Sequence, residues 1–161
     1  MPPAAASSLP MDTSRALRAI FWAGLTCGVM DISAAFITWG VKHVSPFRVL
    51  RGIAAGLLGP KSFQGGASTA ALGLAIHFFI AFSAATVFYL ASRKLIFMTQ
   101  QPILSGIAYG VAVYLVMYWI VIPHNAAHRL PLTISAHIVA IVTHMICVGL
   151  PISLIISHFT E

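Results

Sequence analysis

Residues 68–92 read STAALGLAIHFFIAFSAATVFYLAS, a stretch that holds His77 but no Asp, Glu, Lys or Arg. A helix needs about 20 apolar residues to cross about 30 Å of hydrocarbon, and this stretch is long enough. Three others match it: 17–41, which carries Asp31; 102–123; and 130–157, which carries His137 and His144. Arg93 and Lys94 separate the second from the third, and the stretch 123–131 separates the third from the fourth. The runs are too long and too uniform for strands of an outer-membrane barrel, which alternate over about 10 residues. The expected fold is all-α, an integral membrane bundle of four transmembrane helices.

Composition points the same way. Of 161 residues, 59% are hydrophobic and 7% charged, and the mean hydropathy is +0.93. A soluble domain is about 25% charged, so this chain cannot cover a water-facing surface. Disorder needs low hydrophobicity and is excluded as well. Nine basic residues against three acidic ones give a net charge of +6. The basic residues flank the spans, so they are no nucleic-acid stripe. Cys27 and Cys147 both lie inside spans without a CxxC partner and read as small buried residues, not as a disulfide framework.

Residues 1–16, rich in Pro, Ala and Ser, read as a disordered tail ahead of a four-helix domain over 17–158. The first apolar run exceeds the about 7–15 residues of a signal-peptide core and is expected to remain as a helix. The only long connection is 42–67. Ser45-Pro46 is a helix-start signal, and Phe47, Leu50, Ala54, Leu57 and Leu58 then recur at helical spacing until Gly59-Pro60. A helix of about 13 residues is about 20 Å long, too short to span. Three arrangements fit it. It could lie in the interface with Arg48 and Arg51 on lipid phosphates, pack on the bundle as a connector, or re-enter the bilayer. An even number of spans puts both termini on one side. Arg15, Arg18, Arg93 and Lys94 on that side stand against Lys42, Arg48, Arg51, Lys61 and Arg129 on the other. The positive-inside rule is thus nearly balanced. The tight Arg15/Arg18 and Arg93/Lys94 pairs favour cytoplasmic termini.

Asp31 is the sharpest single feature. A charged Asp at a helix centre costs about 2.5–3.5 kcal/mol on insertion scales, so it should face other helices or a cavity. Gly24, Gly28, Asp31, Ala35 and Thr38 form a stripe of small and polar residues, and small residues let backbones approach closely. Span two repeats the pattern with Gly73, His77, Ala81 and Ala84; span four repeats it with Thr133, His137, Ala140 and His144. If these stripes converge, Asp31, His77, His137, His144, Thr133 and Thr38 form a polar bundle interior. A buried Asp can then be stabilised by a histidinium, and histidine can relay protons near neutral pH. Span three has Gly106 and Gly110 one turn apart, Tyr109 and Tyr114 able to hydrogen-bond inward, and Tyr118 and Trp119 suited to an interfacial belt. It is expected to pack as scaffold. Beyond Pro123, His124 and His128 stand at i and i+4 and are weak metal candidates, with no acid or cysteine nearby to complete a shell.

Enzyme motifs are missing. There is no GxSxG, no P-loop and no GxGxxG after a strand. Asp12 and Glu161 lie in the tails, so paired-carboxylate catalysis is unavailable. Covalent haem is excluded by the lack of CxxCH. A b-type haem between His77 and His137 or His144 is an alternative with little behind it, so no cofactor is expected.

From Gly73 onward the order of features resembles small uncharacterised bacterial inner-membrane proteins of the YagU-like kind. The matching elements are GLAIHFFIAFSAATVFYL, GIAYGVAVYLVMYWIVIP and AHIVAIVTHMICVGLP, with GLTCGVMDISAAFITWG at the front. The likeness covers about residues 20 to 156 and implies four helices in the inner membrane with no agreed activity. The expected function is therefore a small multi-pass inner-membrane protein with a proton-linked transport or pH-responsive role, working as a homo-oligomer. Two alternatives stand beside it: an accessory subunit packed on a larger membrane complex, and a haem- or metal-binding redox protein.

Overall fold

A computed structural model describes residues 13–122 and 133–160. His124 and His128 lie outside the described residues. Every described element is helical. Helix α1 (Thr13–Gly40) leads to the short α2 (Pro46–Leu58), a 3-10 segment Gly59–Gln64, and α3 (Gly66–Ser92). A single turn α4 (Phe97–Gln100) precedes α5 (Pro102–Val116), which widens into a π-helical turn, Met117–Val121. The last span runs from α6 (Ile134–Thr143) through a second π-helical turn, His144–Gly149, into α7 (Leu150–Thr160). Among the described residues four stretches are long and apolar enough to cross a membrane: Thr13–Gly40, Gly66–Ser92, Pro102–Val121 and Ile134–Thr160. The chain is a multi-pass membrane protein of the all-α class.

Local chemistry explains the boundaries. The Ser45 side chain accepts a hydrogen bond from Arg48 N (3.3 Å) with Pro46 at the first helical position, the arrangement that suits an N-terminus. Helix α2 stops where Gly59 takes φ = 67°, a left-handed conformation that favours glycine. The π-helical turn at His144–Gly149 sits just before Pro151. That proline has no N–H for the carbonyl of Cys147, and its ring crowds that oxygen. Widening the turn absorbs the misfit. Met117–Val121 likewise ends two residues before Pro123.

The bundle is packed differently at its two ends. Toward the termini, α1, α3 and α7 bury Ala19, Ala23, Ala85, Phe88, Ile152 and Ile156 almost completely. Two of the seams between spans are lined by glycine. Between α1 and α3, Gly24 and Gly28 lie under the rings of Phe82 and Phe78. Between α5 and the last span the contact is backbone on backbone. A Cβ on Gly110 would lie 2.6 Å from His144 O, and one on Gly106 would lie 3.0 Å from Gly149 O. Such contact requires small residues. Ser153 adds a hydrogen bond from its hydroxyl to Pro102 O (2.6 Å). The outward faces carry Val29, Ile37, Leu74, Phe79, Leu104, Ile138 and Val142, all exposed and suited to lipid.

Helix α2 lies against α3 rather than apart from the bundle. A Cβ on Gly73 would collide with Leu50 O and come within 3.3 Å of Ala54 N. Of the three arrangements left open, the connector packed on the bundle describes this contact. Arg51 contributes to it. Its Nε donates to Gly66 O (3.1 Å) and its Nη1 donates to Phe63 O (3.3 Å), while Ser62 Oγ donates back to Arg51 O (3.0 Å). The expectation that Arg51 reaches lipid phosphates is corrected to that extent: carbonyls left open by the 3-10 segment and the start of α3 take its guanidinium.

Candidate functional site

The half of the bundle away from the termini encloses a cavity of about 860 Å³. Its lining follows α1 through Cys27, Asp31, Ala35 and Trp39. From Cys27 to Trp39 that is a depth of about 18 Å at 1.5 Å per residue. Helix α3 supplies His77, Ile80 and Ala81; α5 and its π-helical turn supply Val113, Tyr114 and Tyr118; the last span supplies Thr133, Ala140, His144 and Val148. Helix α2 closes the remaining side with Arg48, Val49 and Ile53. Lys42, Arg48 and Thr133 come from the loop-side ends of their elements and mark the mouth. Cys27, Ala81 and Val148, which belong to the buried core, form the floor.

Asp31 lies one turn above that floor and is half-buried. Among the described residues it has no ion-pair partner. His77 and His144 line the same cavity, and each is anchored to a backbone carbonyl. His77 Nε2 donates to Gly28 O across to α1 (2.8 Å), and His144 Nδ1 donates to Ala140 O in its own helix (2.8 Å). A carbonyl can only accept, so these ring nitrogens carry the protons. The opposite nitrogens, Nδ1 of His77 and Nε2 of His144, are the basic ones in the neutral rings. Neither anchor is lost when the ring becomes charged, because both N–H groups donate in either state.

Three of the four ionisable residues expected in the interior thus share one cavity, and His137 touches it at one remove. Its Nδ1 is hydrogen-bonded to the hydroxyl of Tyr114, which does line the cavity. Tyr118 packs edge-on against His137 with ring centroids 4.6 Å apart, and Tyr114 packs edge-on against His144 at 5.7 Å. Span three is therefore more than scaffold. Tyr109 also bonds inward, its hydroxyl donating to Ala84 O (2.7 Å).

Two other residues sit differently from expectation. Thr38 is exposed and is not among the lining residues, which corrects its placement in the polar interior. The inner face of α1 advances by fours through 27, 31, 35 and 39. Each such step rotates by about 40°, so the face shares Asp31 and Ala35 with the Gly24–Gly28–Asp31–Ala35–Thr38 stripe and turns away from it toward Trp39. Thr133 is exposed at the mouth, where its hydroxyl caps α6 by accepting from Ala136 N (3.3 Å). Lys42 lies over the ring of Trp39 at 5.0 Å and Arg48 over that of Phe63 at 5.6 Å, so both rim cations rest on aromatic faces.

Sequence reasoning passed over Gly149, whose backbone closes the seam against Gly106 and Gly110. The signal was present as a lone glycine in an otherwise bulky apolar run just before Pro151. Among the described residues no set of three His, Cys, Asp or Glu is gathered in metal-ligating geometry. Comparisons with protein-family models, with curated proteins and with solved structures find no match for this chain.

Proposed function

We propose that the chain is a bacterial inner-membrane protein with a proton-linked transport or pH-responsive role, in which Asp31 is the proton-binding group. The observation that carries this reading is a carboxyl with no ion-pair partner among the described residues, near the floor of a cavity that two histidines also line. An ionisable residue at membrane depth that faces a cavity is a functional-site hypothesis by default. The anchored rings of His77 and His144 can take and release protons through their free nitrogens without leaving place. Tyr114 extends the polar lining to His137.

The floor is closed by tightly packed core, so passage across the membrane requires a second state in which that end opens. The YagU-like resemblance belongs to the same proposal and supports the inner membrane. Cytoplasmic termini would turn the mouth outward. The wide apolar outer faces leave room for a homo-oligomer.

The test is proton flux in liposomes loaded with a pH-sensitive dye. The wild-type protein should dissipate an imposed gradient. Asp31→Asn should insert, keep its thermal transition and lose the flux. A loss of thermal stability in Asp31→Asn with no flux in either protein would assign Asp31 to holding helices together.

A further inference from the structure

We infer that the cavity takes a hydrophobic organic cation, an amine or onium compound with an apolar body, whose charge pairs with Asp31 in exchange for a proton. This inference rests on the proton-binding reading of Asp31 and adds the class of substrate. Three observations converge on it. Asp31 is the sole acid of the described residues and has no ion-pair partner among them. The aromatic side chains of Tyr114 and Tyr118, and of Trp39 beneath Lys42, line the same space, and aromatic rings attract cations. The walls between them are apolar, with Ile32, Ile53, Ile80 and Val113. A volume of about 860 Å³ falls within the about 300–1,000 Å³ of small-molecule sites. Apolar walls with a few convergent polar groups are the usual make-up of such sites.

The rim cations Lys42 and Arg48 oppose this charge at the mouth and would favour an anion there. Attraction between charges strengthens away from bulk water, however, and Asp31 lies deeper in the cavity than either rim cation. The exchange balances simply. The Asp31 carboxyl gives its proton to water in the cavity, and the carboxylate that remains pairs with the ligand's positive charge.

Several titratable groups face Asp31 and bear on its pH dependence. His77 comes from α3, and His144 and Cys147 come from the last span. Tyr114 and Tyr118 come from α5 and its π-helical turn, Cys27 from α1 itself, and Lys42 and Arg48 from the rim. Of these the histidines gain a positive charge on binding a proton. They become positive as pH falls, which works against a cation in the same direction as protonation of Asp31.

The experiment is equilibrium binding of tetraphenylphosphonium to the full chain in detergent, followed across pH. Tetraphenylborate, of the same shape and opposite charge, serves as the comparison. Below the carboxyl's titration the affinity for tetraphenylphosphonium should rise about tenfold per pH unit, the slope for one displaced proton, and level off above it. Any steeper slope should disappear in a His77→Gln, His144→Gln double variant. Asp31→Asn should lose about tenfold or more in affinity along with the one-proton part of the pH dependence, and Asp31→Glu should retain both. If Asp31→Asn fails to fold, proton release on the wild type, measured where the affinity still rises with pH, decides: one proton per bound cation supports the exchange, and none overturns it. Equal or tighter binding of tetraphenylborate overturns the inference in favour of an anion at the rim. Proton flux in liposomes without tetraphenylphosphonium binding overturns the substrate class alone. Cation binding without proton flux overturns the transport reading and leaves the cation site standing.

Discussion

Replacing Gly149 by alanine adds one methyl group where the last span meets α5. Its Cβ would lie 2.5 Å from Gly110 N and 2.8 Å from Gly110 Cα, whereas ordinary contact begins at 3.4 Å. Both neighbours are backbone, so neither can turn aside as a side chain would. Gly106 O lies closer still, so the helices must part by more than about 1 Å, and a gap of about 0.5–1 Å already forfeits a quarter to a half of each dispersion contact along the seam. Overpacking of this kind costs about 1–3 kcal/mol, and the rigid neighbours put it near the upper end, about 2–3 kcal/mol. Alanine is also a better helix former than glycine by about 1 kcal/mol, which masks part of the cost. Gly52→Ala is the matched control, because a Cβ there meets nothing within 4 Å. The two substitutions share the propensity gain and differ in the clash. At about 2–4 °C per kcal/mol, their Tm values in detergent, read by intrinsic Trp fluorescence, should differ by about 4–12 °C, with Gly149→Ala the lower. Equal Tm values would refute the close backbone seam between α5 and the last span.

Three further outcomes are expected. Tyr114→Phe keeps the ring and removes the partner of His137 Nδ1. It should cost about 0.6–1.7 kcal/mol in thermal stability, the range for hydrogen bonds between membrane helices, and shift the His137 ¹⁵N resonances, while an unchanged spectrum counts against the pair. Arg51→Ala removes two charge-assisted hydrogen bonds, and Arg51→Lys should not restore them because a single ammonium cannot form the same fork. Hydrogen exchange of the amides over 59–66 should speed up in both variants, and full protection in either one contradicts this role for Arg51. Pro151→Ala restores an N–H for the Cys147 carbonyl and should let the His144–Gly149 turn tighten toward α geometry. That shift turns His144 relative to α7, so its modification by an imidazole reagent should change rate, and an identical rate would leave the widened turn unexplained by the proline.

Much of the architecture was legible because the bilayer imposes one dominant rule, about 20 apolar residues per crossing. The capped start of α2 at Ser45-Pro46 and its stop at Gly59 were equally readable, since both are local chemistry. The cavity was only half legible. Asp31, His77 and His144 announced themselves as polar residues in apolar runs. That they share a space open at one end depends on how α1 drifts by about 40° per four residues, and this moved Thr38 outside. Gly73 and His77 lie on one stripe, yet α2 covers the first and α1 the second, a division that periodicity within α3 cannot reveal. Arg51 illustrates the same limit. An arginine beside an amphipathic helix suggests phosphate, and only the fold supplies the two carbonyls that it meets instead. The π-helical turns had a cue in the prolines that follow them, but a proline alone does not say whether a helix kinks, breaks or widens.

The two seams differ in compliance, and the cavity lies between them. Where α1 meets α3, aromatic rings cover Gly24 and Gly28, and a ring can tilt or swing on its own torsions at modest cost. Where α5 meets the last span, peptide planes face each other with no torsion free to yield. The molecule is thus built as a stiff pair and a forgiving pair. A change in the width of the cavity falls first on the forgiving side, so α1 would travel while α5 and the last span stay together as a reference frame. Spectroscopic labels placed across the two seams would then report unequal breadth, narrow between α5 and α7 and broad between α1 and α3.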